Sequence, residues 1–212
     1  MHLFDYDGPL MRALIHIGEL ILLNLMYLLC CLPVVTAGAS TAAMYTVTFR
    51  NLDGKGSHVC RQFWTAFRAN FKKATLEWLV MLLVAGLLYA DFCIITQTEF
   101  AGKAAIELVF VCVLALYLPT LTFLFPIQAY FENTVPGTLK NAVALGLAKL
   151  PQSILLLLLN GFPLLLLYAN ITAFFRLLPF WAVIGFSGTA QLGTYLFRRI
   201  FRKLAPAKDP EQ

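Results

Sequence analysis

The sequence predicts an all-α polytopic membrane bundle of five to six spans, with a broken first helical hairpin and an amphipathic interfacial helix. Three observations predict it. Apolar residues make up 60% of the 212-residue chain and charged residues 13%, against roughly 25% charged in a soluble domain. Mean hydropathy is +0.77, which is more apolar surface than a core of this size can hide, so lipid must be part of the solvent. The 16 Lys and Arg gather between apolar runs, as in the cytoplasmic loops of membrane proteins. The net charge of +5 therefore reads as topology and not as nucleic-acid binding. Residues 1–204 are expected to form one membrane domain, and 205–212 a disordered cytoplasmic tail.

Leu10–Leu32 reads as the first span. The first ten residues lack a basic region and a small-residue cleavage site, so this helix is expected to stay as an anchor. Arg12, His16 and Glu19 share one of its faces at i, i+4 and i+7. Ionisable groups in a span are functional candidates, because burying charge in hydrocarbon is costly. A packing role for His16 and Glu19 is expected over a proton relay, and Asn24 is expected to bond to another helix. Pro33 breaks the apolar run. Ala37–Phe49 then starts a second limb, where Gly38 and Ala42 stand four apart and allow helices to approach closely. The limb is short and mildly apolar, so it is read as a half-helix in preference to a sixth span.

Arg50–His58 carries the turn signals Asp53-Gly54 and Gly56. Val59–Lys73 follows as an amphipathic helix. Phe63, Trp64, Phe67 and Phe71 fall on one arc with Val59 and Cys60, and Arg61, Arg68 and Lys72 on the other. Such a helix suits an anionic leaflet. It reads equally as a topology-setting connector or as a docking surface for a partner. Ala74–Ile95 is a span with Glu77 near its start. Ala104–Phe131 is another, expected to kink or break near Pro119 and Pro126. Thr138 is a candidate cap in the polar link 132–141, ahead of a short piece, 142–150. Ser153–Phe175 is a span with a kink at Pro163, and Leu177–Phe197 is the last. Gly185, Thr189 and Gly193 give that last span a small-residue packing face.

Lys and Arg counts place 50–73, 132–149 and the C-terminal tail on the cytoplasmic side. They put the N-terminus outside for five spans and inside for six. The five cysteines form no C-x-x-C pair, and no His stands at metal-ligand spacing, so neither disulfide nor metal is expected. Nucleotide, hydrolase and zinc-protease motifs are missing. The chain is read as a non-enzyme without cofactor, its first partner being the lipid bilayer; its oligomeric state stays open.

The blocks NLMYLLCCLPVVTAGASTAAMY, FWTAFRANFKKATLEWLV and LKNAVALGLAKLPQSILLLLL together resemble the YesL-like family of bacterial membrane proteins, whose function is unknown. Asn24, Pro33, Thr36, Gly38, Phe63, Phe67, Asn70 and Phe71 stand where that family places its signature residues. The resemblance implies a multi-span protein of the bacterial cytoplasmic membrane associated with carbohydrate uptake. Asn141-Ala142, Gly146 and Leu150-Pro151 are similar in part to the coupling loop of ABC-importer permeases. The acidic residue of that loop is missing and the Gly-to-Pro spacing is short, which argues against docking of an ATPase there. The expected function is an accessory or regulatory component of an ABC importer, contacting its membrane or ATPase subunits. The alternative is a small secondary transporter or channel for a small solute.

Overall fold

The computed structural model describes residues 9–54, 58–97 and 102–204. The expected disordered tail, 205–212, and Lys55 and Gly56 of the first loop lie outside the described residues. The chain runs as α1 (Pro9–Cys31), a 3-10 turn (Val34–Thr36), α2 (Ala37–Leu52), α3 (Val59–Gln97), α4 (Lys103–Tyr130), α5 (Val135–Ala148), α6 (Leu150–Ala169), α7 (Ile171–Phe180), a π-turn (Trp181–Gly185) and α8 (Phe186–Leu204). The described residues contain no strand, and the bundle is all-α as its composition predicts. Five stretches are long and apolar enough to cross a membrane: Leu10–Cys31, Val59–Gln97, Lys103–Tyr130, Leu150–Ala169 and Ile171–Leu204.

The short α2 is the centre of the bundle. Its 16 residues reach about 24 Å, short of a hydrocarbon core of about 30 Å. It packs against α1, α3, α4 and α8, and Ala39, Ala42, Ala43 and Val47 are fully buried. Gly38 explains how so polar a helix sits so deep. A Cβ there would lie 2.5 Å from Trp78 Cβ and 2.6 Å from the Ala74 carbonyl, so only glycine lets α2 and α3 touch at this point.

Three expected breaks fall differently. The amphipathic piece 59–73 and the span 74–95 are one continuous helix of 39 residues, because nothing between them breaks the backbone ladder. Helix α4 runs unbroken through Pro119 and Pro126. Hydroxyls beside the prolines donate back along the helix, Thr120 to the Leu116 carbonyl at 2.7 Å and Thr122 to that of Leu118 at 3.0 Å, in keeping with the tolerance of spans for proline. The span expected to reach Phe175 ends instead at Ala169. Asn170 is extended and caps α7, its side chain accepting from the Ala173 N–H at 3.0 Å.

Pairwise contacts fix the direction of each helix. Helix α2 runs parallel to α8, pairing Tyr45 with Phe197 and Phe49 with Phe201, while Arg198 donates to the Leu52 carbonyl at 2.9 Å and pairs with Asp53. Helix α1 runs against α8, since Leu20 meets Ser187 and Asn24 meets Trp181 and Ala182. The chain therefore goes up in α1, down in α2, up in α3, down in α4, up through α5 and α6, and down through α7 and α8. The beginning of α1 and the end of α8 lie on one side of the bundle, although only five stretches are long enough to span. This corrects the rule that five spans put the ends on opposite sides, because α2 turns the chain back without being a full span. In a cysteine-free background, Leu10→Cys and Lys203→Cys are expected to react with an impermeant thiol reagent from the same side of the membrane. Labelling from opposite sides would refute this path.

Candidate functional site

The residues around Pro33 show how an interrupted helix is made tolerable inside a bundle. Backbone groups freed by a break need partners where water is absent. Thr36 Oγ1 donates to the Cys30 carbonyl at 2.6 Å and that of Pro33 at 2.9 Å. Ser40 Oγ reaches the Tyr27 carbonyl at 3.0 Å, and Trp78 Nε1 reaches that of Val34 at 2.7 Å. Pro33 itself is exposed. The break is thus tied to α1, α2 and α3 at once.

Beside it lies a cavity of about 370 Å³. Tyr27, Thr41, Tyr45, Trp78, Asn160 and Thr189 give it its polar and aromatic character, with apolar groups such as Leu118 and Phe186 between them. The Tyr45 hydroxyl interacts with the Asn160 side chain, and Asn160 Nδ2 donates to the Leu156 carbonyl at 2.9 Å. No Lys, Arg, His, Asp or Glu lines it. Such a wall offers ring faces and neutral hydrogen bonds. It offers no charge for an ion and no pair for acid–base work.

Asn24, the interhelical partner, has a defined role. Its Nδ2 donates to the Trp181 carbonyl at 3.1 Å and that of Ala182 at 2.7 Å, and its Oδ1 accepts from the Ser187 N–H at 3.0 Å. A π-turn leaves backbone groups without the usual i, i+4 partner, and one buried amide collects three of them. Gly185 lies within that turn under the Trp181 ring, Gly193 meets Leu156 of α6, and Thr189 bonds to its own helix at the Phe186 carbonyl, 3.0 Å away. The predicted small-residue stripe is therefore three separate contacts and not one packing face.

The remaining candidates scatter. His16 and Glu19 stand 3.7 Å apart on a partly exposed face of α1, and neither lines the cavity. The aromatic arc of α3 divides. Phe63 and Phe67 turn into the core, which corrects their reading as an interfacial surface; α2 packs along this helix. Trp64 and Phe71 stay exposed with Arg61, Arg68 and Lys72, and Arg68 sits over the Trp64 ring at 5.1 Å. Asn141 lines a separate cleft of about 300 Å³ between the end of α4, α5 and Leu204.

Asn70 belongs to a second polar group. Gln128 Nε2 donates to Asn70 Oδ1 at 3.3 Å and Thr138 Oγ1 to Gln128 Oε1 at 3.2 Å, joining α3, α4 and α5. Thr138 is thus a tertiary link more than a cap. Sequence reasoning missed that Glu77 is fully buried next to this group. Its signal was present in the spacing Asn70, Lys73, Glu77, which places all three on one helical face.

The fold defines an integral membrane protein of the helical-bundle class. Residues 20–92 match the family described as Protein of unknown function, DUF624. The matched stretch runs from the middle of α1 through α2 into α3, and so contains Asn24, the Pro33 break, Gly38 and Asn70. The third resembling block, 139–159, lies outside it. No curated protein and no solved structure matches the chain.

Proposed function

We propose that the chain is a non-catalytic subunit of the bacterial cytoplasmic membrane that serves carbohydrate uptake by contact with an ABC importer, with both ends of its bundle on the cytoplasmic side. The observation that supports this reading is how charge is distributed. The cavity wall is neutral, whereas cations gather on exposed ends, as Arg61, Arg68 and Lys72 on α3 and Arg199, Arg202 and Lys203 on α8. A wall with aromatic rings and neutral hydrogen-bonding groups suits uncharged hydroxylated molecules, and cationic ends suit acidic partner surfaces. Cross-linking in native membranes, followed by purification in mild detergent, is expected to recover importer membrane or ATPase subunits. The charge reversals Arg61→Glu and Arg68→Glu are expected to reduce that recovery. Repeated isolation of the chain alone would sink the proposal.

A second reading, a small transporter for a neutral solute, is favoured by the cavity's position beside a broken helix. Solute flux in vesicles containing only the purified chain, lost in Asn160→Leu, would replace the first reading with this one.

A further inference from the structure

The cavity beside the Pro33 break is closed on most sides and open on one. Among its lining residues, Leu118 of α4 and Asn160 and Leu164 of α6 are exposed, whereas those from α1, α2, α3 and α8 are buried or half-buried. The mouth therefore lies between α4 and α6. Helix α6, Leu150–Ala169, is one of the stretches fit to cross a membrane. At 1.5 Å per residue, Asn160 has about 15 Å of that helix on one side and about 14 Å on the other. The mouth thus opens near the middle of a hydrocarbon core of about 30 Å, away from either water boundary.

Asn160 is the polar exception on this part of α6. Leucines flank it at 155–159 and again at 164–167. An exposed carboxamide at that depth is costly unless it is hydrogen-bonded. The protein supplies two partners, the Leu156 carbonyl at 2.9 Å and the Tyr45 hydroxyl. A carboxamide has donor and acceptor capacity beyond two bonds. Gly161, beside it, keeps the mouth wide, since a Cβ added there meets nothing within 4 Å. Deeper in, the half-buried Tyr27, Thr41 and Thr189 and the buried Tyr45 offer neutral polar groups.

We propose that this cavity takes a neutral lipid alcohol, a hydrocarbon chain ending in a hydroxyl group, directly from the bilayer through the gap between α4 and α6. The hydroxyl end enters past Asn160 toward Tyr27 and Tyr45. The chain trails out between Leu118 and Leu164 into hydrocarbon. Three features select this class of ligand. The wall carries no cation, so a phosphate-bearing head would be buried without compensation. The mouth faces hydrocarbon, so a sugar dissolved in water would have to shed its hydration to reach it. The volume of about 370 Å³ lies near the low end of the range of about 300–1,000 Å³ for small-molecule sites, which suits one chain end and not a two-chain lipid. The ligand class rests on the wall being a site for uncharged hydroxylated molecules, as proposed above, and not on contact with an importer.

The test is photolabelling of the purified full chain in phospholipid vesicles with hexadecanol that carries a diazirine on its chain. Adducts are expected in the segments 118–126 and 157–164. Excess unlabelled hexadecanol should remove them, whereas hexadecane, which lacks the hydroxyl, and glucose should not. Gly161→Leu fills the mouth and is expected to abolish the competable labelling. Asn160→Leu removes the amide and is expected to weaken it by about 10-fold, and it decides the matter if Gly161→Leu does not fold. Labelling that does not saturate, or that hexadecane displaces equally, is contact with bulk lipid only and overturns the proposal. So does competable labelling that survives in both variants. Displacement by glucose overturns the entry from the bilayer while the reading of the wall stands. Recovery of importer subunits by cross-linking is a separate result that neither outcome alters.

Discussion

Asn24→Leu is expected to be the most damaging single change on α1. One side chain serves three backbone groups across the α1–α8 contact: the carbonyls of Trp181 and Ala182 and the N–H of Ser187. An ordinary interhelical hydrogen bond in a membrane protein contributes only about 0.6 kcal/mol. The loss here is larger because the π-turn cannot recover its bonds internally, and each polar group left buried and unpaired costs about 1–3 kcal/mol. Leucine fills nearly the same volume, so a cavity does not account for the effect. The measurement is the unfolding midpoint in detergent, with Asn24→Asp as a comparison that keeps one acceptor for Ser187 but loses the donors. A midpoint equal to wild type in Asn24→Leu would show that the π-turn needs no support from α1.

Gly38→Ala is expected to be comparably severe for a different reason. The new methyl would meet Trp78 Cβ at 2.5 Å and the Ala74 carbonyl at 2.6 Å. Both belong to the α3 framework, and neither can rotate aside. Overpacking of this type costs about 1–3 kcal/mol. It should also push Trp78 away from the Val34 carbonyl, which anchors the Pro33 break. The controls are Gly18→Ala and Gly86→Ala, where nothing lies within 4 Å of the added carbon. Those two changes should be neutral or gain up to about 1 kcal/mol of helix propensity. If all three variants unfold at the same midpoint, the α2–α3 contact is not as tight as these distances require.

The class of fold could be read from composition because lipid exposure leaves few alternatives: only helices or closed barrels satisfy the backbone there, and the apolar runs had helix length. The break at Pro33 and the close approach at Gly38 were legible because proline and small-residue spacing act locally. What could not be read was which side of a helix faces protein and which faces lipid, since both demand apolar residues. Phe63 and Phe67 have the pattern of an interfacial helix, and only the third dimension shows α2 packed along α3. Glu77 looked like one ionisable group near a span end, and its burial beside Thr138 of α5 joins positions far apart in the sequence. Proline usually ends or kinks a helix, yet α4 continues past Pro119 and Pro126, as membrane spans tolerate. The cavity gathers Tyr27, Tyr45 and Asn160 from three helices, none in a motif, so no pattern along the chain announces it.

Helix α2 also governs how the chain is made. Insertion machinery admits segments by apolarity, and α2, with Ser40, Thr41, Thr46, Thr48 and Arg50, is a poor candidate on its own. It enters as the returning arm of α1, to which Ser40 and Thr36 already bind it. Its burial is complete only when α8 arrives, because the hydroxyl of Thr48 finds that of Thr194, 2.8 Å away, 146 residues later. Until that residue leaves the ribosome, the centre of the bundle is unfinished. A nascent chain stalled before α8 therefore leaves one side of α2, with Tyr45, Thr48 and Phe49, without the helix that covers it.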